Sequence, residues 1–319
     1  MATSLILGAA ALGGGGLLTS RRARERERAA EAAYPPIGQL VPVDGGMIHA
    51  HVMGSGPDLV LLHGASGNIR DFTLGFAQRL AKHWRVILLD RPGLGWSSDI
   101  GPDDRAPAAQ ALHLMQAAEV LGVRRPVVLG HSYGGAIALA WALEAPGALA
   151  PSALVVLAGA SMPWEGGLDR WYTLTGHPVV SQVVVPAITA FATPAQIHAS
   201  LTGIFAPDPV PPGYAAHFGA GLTLRRWSLM ANARQVRGLK PHLRQMAGRY
   251  AGLRLPVEIV HGTADGVVPA EIHAIPLARL LPTARLTLLP ETGHMPHHTM
   301  TDTVIAAIRR AFAAAGHAG

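Results

Sequence analysis

The chain has 319 residues, 49% apolar and 14% charged, with 26 basic side chains against 20 acidic ones, which is the balance of a folded protein rather than a disordered one. With no Cys at all, disulfide scaffolds, Cys-ligated zinc, iron–sulfur clusters and a cysteine nucleophile are excluded. A net charge of +6 carried almost wholly by arginine, beside 5% aromatic content, does not fit a nucleic-acid binder, and the length suits one large α/β domain with an insertion, or two domains.

Residues 1–20 carry no charged side chain and end at Arg21, Arg22, Arg24, Arg26 and Arg28. That length is just enough to cross a bilayer as a helix, although the four glycines Gly13 to Gly16 weaken the span. Positive charge follows the apolar run instead of preceding it, so the segment reads as an uncleaved anchor rather than a signal peptide. The expected location is the inner membrane with the folded part in the cytoplasm, the alternative being a soluble cytoplasmic or periplasmic protein. Residues 21–36 read as a charged linker closed by Tyr34-Pro35-Pro36.

From residue 37 the pattern is regular. Residues 41–43 and 47–53 flank Asp44-Gly45-Gly46 and predict a β-hairpin. The runs at 59–62 and 86–89 are continuously apolar, as in strands buried on both faces, and residues 71–82 between them predict a helix. The alternation continues with a helix over 106–121, a strand at 127–129, a helix over 134–143 and a strand at 154–157. After an interruption it resumes with a strand at 257–260, a helix over 270–281, a strand at 286–289 and a helix over 301–315. Strands alternating with helices imply a mostly parallel sheet covered on both faces. The interruption, residues 161–249, has no convincing buried strand and predicts a helical insertion at the carboxyl ends of the strands, where ligands bind.

Val127 to Leu129 run into Gly130-His131-Ser132-Tyr133-Gly134, a G-x-S-x-G between a strand and an Ala-rich helix. A serine on such a sharp turn projects its hydroxyl out of the sheet, and close-packing glycines make the turn possible. The hydroxyl needs a base, and the base needs an orienting carboxylate. His294 and Asp265 each lie just beyond a predicted strand, on the same sheet edge as Ser132, and the order Ser132, Asp265, His294 is a known order for this constellation. Asp169 and Asp208 in the insertion compete for the acid's role, Asp90 reads as a loop-fixing carboxylate, and His297 and His298 read as rim or helix-capping residues. A metal site on His294, His297 and His298 lacks obvious further ligands.

Together with Leu61-Leu62-His63-Gly64 and Asp90-Arg91-Pro92-Gly93-Leu94-Gly95-Trp96-Ser97, these motifs make the chain resemble the α/β-hydrolase family from residue 37 to 315. The resemblance implies an α/β-hydrolase fold, with a core at 37–160 and 250–316 and a helical lid at 161–249. It also implies oxyanion-hole amides at Ala65 and Tyr133, with Ser66 as the alternative to Ala65. A serine at the elbow argues against epoxide and haloalkane hydrolysis. The expected activity is hydrolysis of a carboxylic ester, thioester or lactone through an acyl-enzyme, with no metal or organic cofactor and a small-molecule acyl substrate as partner. Two alternatives stand: a carbon–carbon bond hydrolase or perhydrolase with the same triad, and a non-catalytic accessory protein.

Residues 209–257 hold no Asp or Glu but contain Arg225, Arg226, Arg234, Arg237, Lys240, Arg244, Arg249 and Arg254. Three readings follow: a solvated basic face, contact with anionic lipid, or a clamp on an acidic substrate.

Overall fold

The computed structural model describes residues 2–167 and 170–316. An antiparallel hairpin, β1 (Gln39–Val43) and β2 (Gly46–Met53), opens an eight-stranded sheet. Gly45 takes φ +77° at its turn, a conformation glycine adopts without steric cost. Then come β3 (Asp58–Leu62), β4 (Arg85–Leu89), β5 (Val127–His131), β6 (Ala153–Leu157), β7 (Val257–Gly262) and β8 (Ala284–Leu289). The spatial order is β1-β2-β4-β3-β5-β6-β7-β8, antiparallel up to the β2–β4 pair and parallel beyond it. This is the α/β-hydrolase arrangement expected from the motifs.

The continuous apolar runs are explained by the two layers of helices. Val60, Leu62, Ile87, Leu89 and Val128 enter one core, while Leu59, Leu61, Val86, Leu88 and Val127 enter the other. The first core is roofed by α3 (Pro107–Val120) and α4 (Tyr133–Glu144), the second by α2 (Phe76–Leu80) and α13 (Thr301–Ala314). Residues 133–141 of α4 are all buried, so its alanines are packing residues that let it lie close to the sheet. The helix predicted over 71–82 forms only as a 3-10 turn at Ile69–Asp71 followed by α2. The chain breaks at Gly75, where φ is +86°.

Between β6 and β7 the predicted helical insertion is present as α5 (Arg170–Thr175), α6 (Ser181–Phe191), α7 (Pro194–Phe205), α8 (Tyr214–Phe218), α9 (Ala220–Thr223) and the long α10 (Arg226–Ala247). After β7 come α11 (Ala274–Leu280) and, beyond β8, α12 (Pro296–Thr299).

The linker expected at residues 21–36 needs correction. Residues 2–20 and 21–33 are one helix, α1 (Ala2–Ala33), so the second stretch is not a linker. Among the described residues no helix is long and apolar enough to cross a membrane; the anchor expected at residues 1–20 falls mostly on residues 1–14, whose side chains lie outside those described. The second half of α1 packs on the insertion: Ala23 and Ala30 are buried, and Glu27 and Glu31 pair with Arg226 and Arg225 at 2.7 and 3.1 Å.

Those pairs also answer the question of the basic stretch. Arg234 bonds Asp99 and Asp104, and Arg249 meets Glu144. The acids missing from residues 209–257 are supplied by other segments, so much of the stretch is neutralised within the fold rather than free to clamp a substrate.

Trp141 is wholly buried, with its indole Nε1 donating to Leu149 O at 2.9 Å. Trp141→Ala is expected to lower unfolding stability by about 3–5 kcal/mol, read by urea denaturation, because it leaves both a cavity and an unpaired carbonyl.

Candidate active site

Ser132 follows β5 and caps α4 with φ +55° and ψ −121°. The turn is held from both sides: Ser132 N–H donates to Leu157 O at 3.0 Å, and Ser132 O accepts from Gly135 N and Ala160 N at 2.9 and 3.0 Å. A Cβ on Gly130 would stand 2.1 Å from Gly134 O, and one on Gly134 would stand 2.2 Å from Leu62 O. Both glycines are therefore required by contact distance.

Asp265 and His294 come together across the ends of β7 and β8, with Nδ1 and Oδ2 2.7 Å apart and both residues buried. The other carboxylate oxygen accepts Val267 N–H and Val268 N–H at 2.9 and 2.8 Å. Burial alone would raise the Asp265 pKa. Hydrogen bonds from His261 and His294, the His294 charge and the Val268 amide outweigh it and hold the carboxyl well below its usual range. An ionised carboxylate on Nδ1 fixes the tautomer that leaves Nε2 as the base.

The elbow and the base loop are joined directly. His131 donates from Nε2 to the carbonyl of His294 at 2.9 Å, and the two rings lie 4.9 Å apart. The structure thus brings Ser132, Asp265 and His294 to one edge of the sheet.

The loop after β3 faces the elbow, since a Cβ on Gly64 would lie 2.9 Å from Ser132 Cβ. Ser66, at φ +54°, gives its N–H to Asn232 Oδ1 at 2.7 Å and receives Asn232 Nδ2 on its hydroxyl at 2.9 Å. An amide already engaged at this distance is a poor oxyanion donor, which favours Ala65 beside Tyr133.

Asp90 fixes loops as expected, accepting from Ile69 N, Trp96 N and His49 Nδ1 at 2.8, 2.8 and 2.7 Å. Asp208 has a different use from the one considered: it accepts Gly293 N–H at 2.7 Å and braces the loop of the histidine. Asp169 lies outside the described residues. Sequence reasoning missed Arg91, wholly buried with its guanidinium 3.9 Å from the centre of the Tyr133 ring and bonded to Gly64 O at 2.9 Å. It also missed His261, whose Nε2 is 3.2 Å from Asp265 Oδ2, and Asn232. The one signal for Arg91 was its place in the Asp90-Arg91-Pro92-Gly93 motif; His261 and Asn232 carried none.

The alpha/beta hydrolase family profile matches residues 59–307, and the chain belongs to that family. It is 30% identical to a pimeloyl-[acyl-carrier protein] methyl ester esterase of Nitrosomonas europaea over 78% of this chain and 93% of that protein. It is 24% identical to a 2-hydroxymuconate semialdehyde hydrolase of Pseudomonas putida over 82% and 88%. Among solved structures, a bacterial membrane phospholipase A superposes with a TM-score of 0.68 at 22% identity, covering 99% of this chain and 98% of the other. The chain is a hydrolase of this fold.

Asp265→Asn is expected to lower kcat by about 10⁴-fold, as when the imidazole takes the wrong tautomer. Because the carboxyl is held below its usual range, its stabilising contribution is full at neutral pH and is lost as pH falls toward the lowered value. The stability difference between wild type and Asp265→Asn should therefore narrow in acid, measured by urea denaturation across pH 3–7, as far as about one unit below the ordinary Asp value.

Proposed function

We propose that the chain hydrolyses small-molecule carboxylic esters, thioesters or lactones through an acyl-enzyme on Ser132. The observation that carries this reading is the buried His294–Asp265 pair at 2.7 Å, tied through His131 to the elbow that presents Ser132. His294 Nε2 takes the Ser132 proton as Oγ attacks the carbonyl carbon. The negative oxygen that forms meets the amides of Ala65 and Tyr133. Collapse expels the alcohol, thiol or lactone oxygen with the proton from His294. Water, deprotonated by the same nitrogen, then releases the acid. Asp265 stays ionised throughout and stabilises the His294 cation.

In this reading residues 161–249 act as a lid over the core at 37–160 and 250–316. Thr223 and Asn232 bond the backbone of Ser66, so the insertion reaches the loop of Ala65. Leu17 and Leu18 on α1, Val183 and Phe191 on α6 and Val179 in the turn before it are exposed, a set suited to resting on a lipid layer. The full-length likeness to the membrane phospholipase A favours that association.

Carbon–carbon bond hydrolysis with the same triad is the second reading, favoured by the semialdehyde hydrolase relative. The arginines that pair with Glu27, Glu31, Asp99, Asp104 and Glu144 weigh against a free acid clamp.

A fluorophosphonate probe should label wild type but not Ser132→Ala, and p-nitrophenyl esters should give an initial burst matching the enzyme concentration. Turnover of a diketone without ester turnover would move the assignment to the second reading. A folded chain that takes no label would support the accessory-protein alternative. Co-sedimentation with anionic vesicles tests the lipid-facing surface separately.

A further inference from the structure

Beside the elbow, three segments meet at Asp71, His131 and His297. Asp71 follows β3, His131 is the last residue of β5, and His297 belongs to α12. All three are buried, and one ligand-capable atom from each lies within 4.8 Å of the others. Asp71 Oδ2 is 3.2 Å from His297 Nε2 and 3.9 Å from His131 Nδ1.

The tautomer of His131 is fixed by its other nitrogen. Nε2 lies 2.9 Å from the carbonyl of His294, which can only accept, so the proton is on Nε2 and Nδ1 carries a bare lone pair. That Nδ1 has no hydrogen-bond partner. A buried lone pair facing a carboxylate oxygen is repulsive unless a positive charge lies between them.

We propose that Asp71 Oδ2, His131 Nδ1 and His297 Nε2 form a structural site for a divalent transition-metal cation of the zinc class. Two imidazole nitrogens and a carboxylate oxygen are a donor set this cation takes, with ligand atoms about 3.3 Å apart in tetrahedral geometry. The observed 3.2 and 3.9 Å need only a small rotation to meet it. His297 would coordinate as its Nδ1–H tautomer in place of its Nε2–H bond to Asp71 Oδ2; among the described residues Nδ1 has no hydrogen-bond partner, so the cation must offset one buried unpaired N–H. Outer partners of the kind such sites use are in place: Nε2–H of His131 on the His294 carbonyl, and the Tyr214 hydroxyl and His298 Nε2 on Asp71 Oδ1 at 2.7 and 3.1 Å. Of the histidines in the His294-x-x-His297-His298 spacing only His297 is a ligand, and Asp71 and His131, 226 and 166 positions away from it, supply the second and third. The cation would touch no substrate. It would fix the distance between the elbow and the histidine loop, and it stands apart from the acyl-enzyme reading because its test needs no turnover.

The experiment strips the full chain with a chelator and titrates it with cobalt(II), following the visible absorption of a tetrahedral complex and the thermal midpoint. The expected result is one cobalt per chain, displaced by zinc, with a raised Tm. His297→Gln and Asp71→Asn should remove the band, and Tyr214→Phe should weaken cobalt binding by about tenfold. His294→Gln should leave the band intact, which separates this site from adventitious metal on the catalytic imidazole. Should Asp71→Asn not fold by circular dichroism, Tyr214→Phe and His297→Gln carry the same comparison. No cobalt band in folded wild type, an unchanged band in His297→Gln, or its loss in His294→Gln would each overturn the proposal.

Discussion

The structure depends on holding one non-glycine residue, Ser132, at φ +55°. Left to itself such a backbone costs on the order of 1–3 kcal/mol. Here the cost is offset by saturating the serine's own peptide groups with bonds from Leu157, Gly135 and Ala160. It also requires glycine on both sides, because α4 approaches β5 and β3 more closely than any side chain allows. The same close approach brings the first amide of α4 to the substrate side and buries the alanines behind it. Fold and reactivity thus share one constraint.

Around that turn, buried charges serve as fasteners. Asp90 ties β2, the segment after β3 and the segment after β4. Asp265 joins its own loop to the base, and Arg91 lies beneath Tyr133 while holding Gly64. A charge without partners would be costly in such places, and each of these has several. The outer layer follows the same logic at longer range, with acids of α1 neutralising arginines of the insertion.

Much of this was legible in the sequence, for physical reasons that can be named. The apolar runs at 59–62, 86–89 and 154–157 could only be strands covered on both faces, and the Gly-x-Ser-x-Gly turn marks its own geometry. Asp265 and His294 were visible because each follows such a run directly. What could not be read was anything decided by tertiary contact. Asp71 sits in a segment with helical composition, yet its carboxylate is taken up by residues far along the chain. Residues 21–33 have the alternating charges of a solvated linker, and only the structure shows the insertion's arginines as their partners. Asn232 lies in a polar helix with nothing to set it apart until its amide meets Ser66.

That last contact bears on how the family's chemistry can be redesigned. The insertion is a run of helices between two neighbouring strands, which makes it the natural unit for transplanting substrate preference between enzymes. In this chain, however, Asn232 and Thr223 belong to the insertion while the Ser66 loop they hold belongs to the sheet. A chimera that exchanges the helices without these two residues would import a new pocket and release the Ser66 loop beside the elbow.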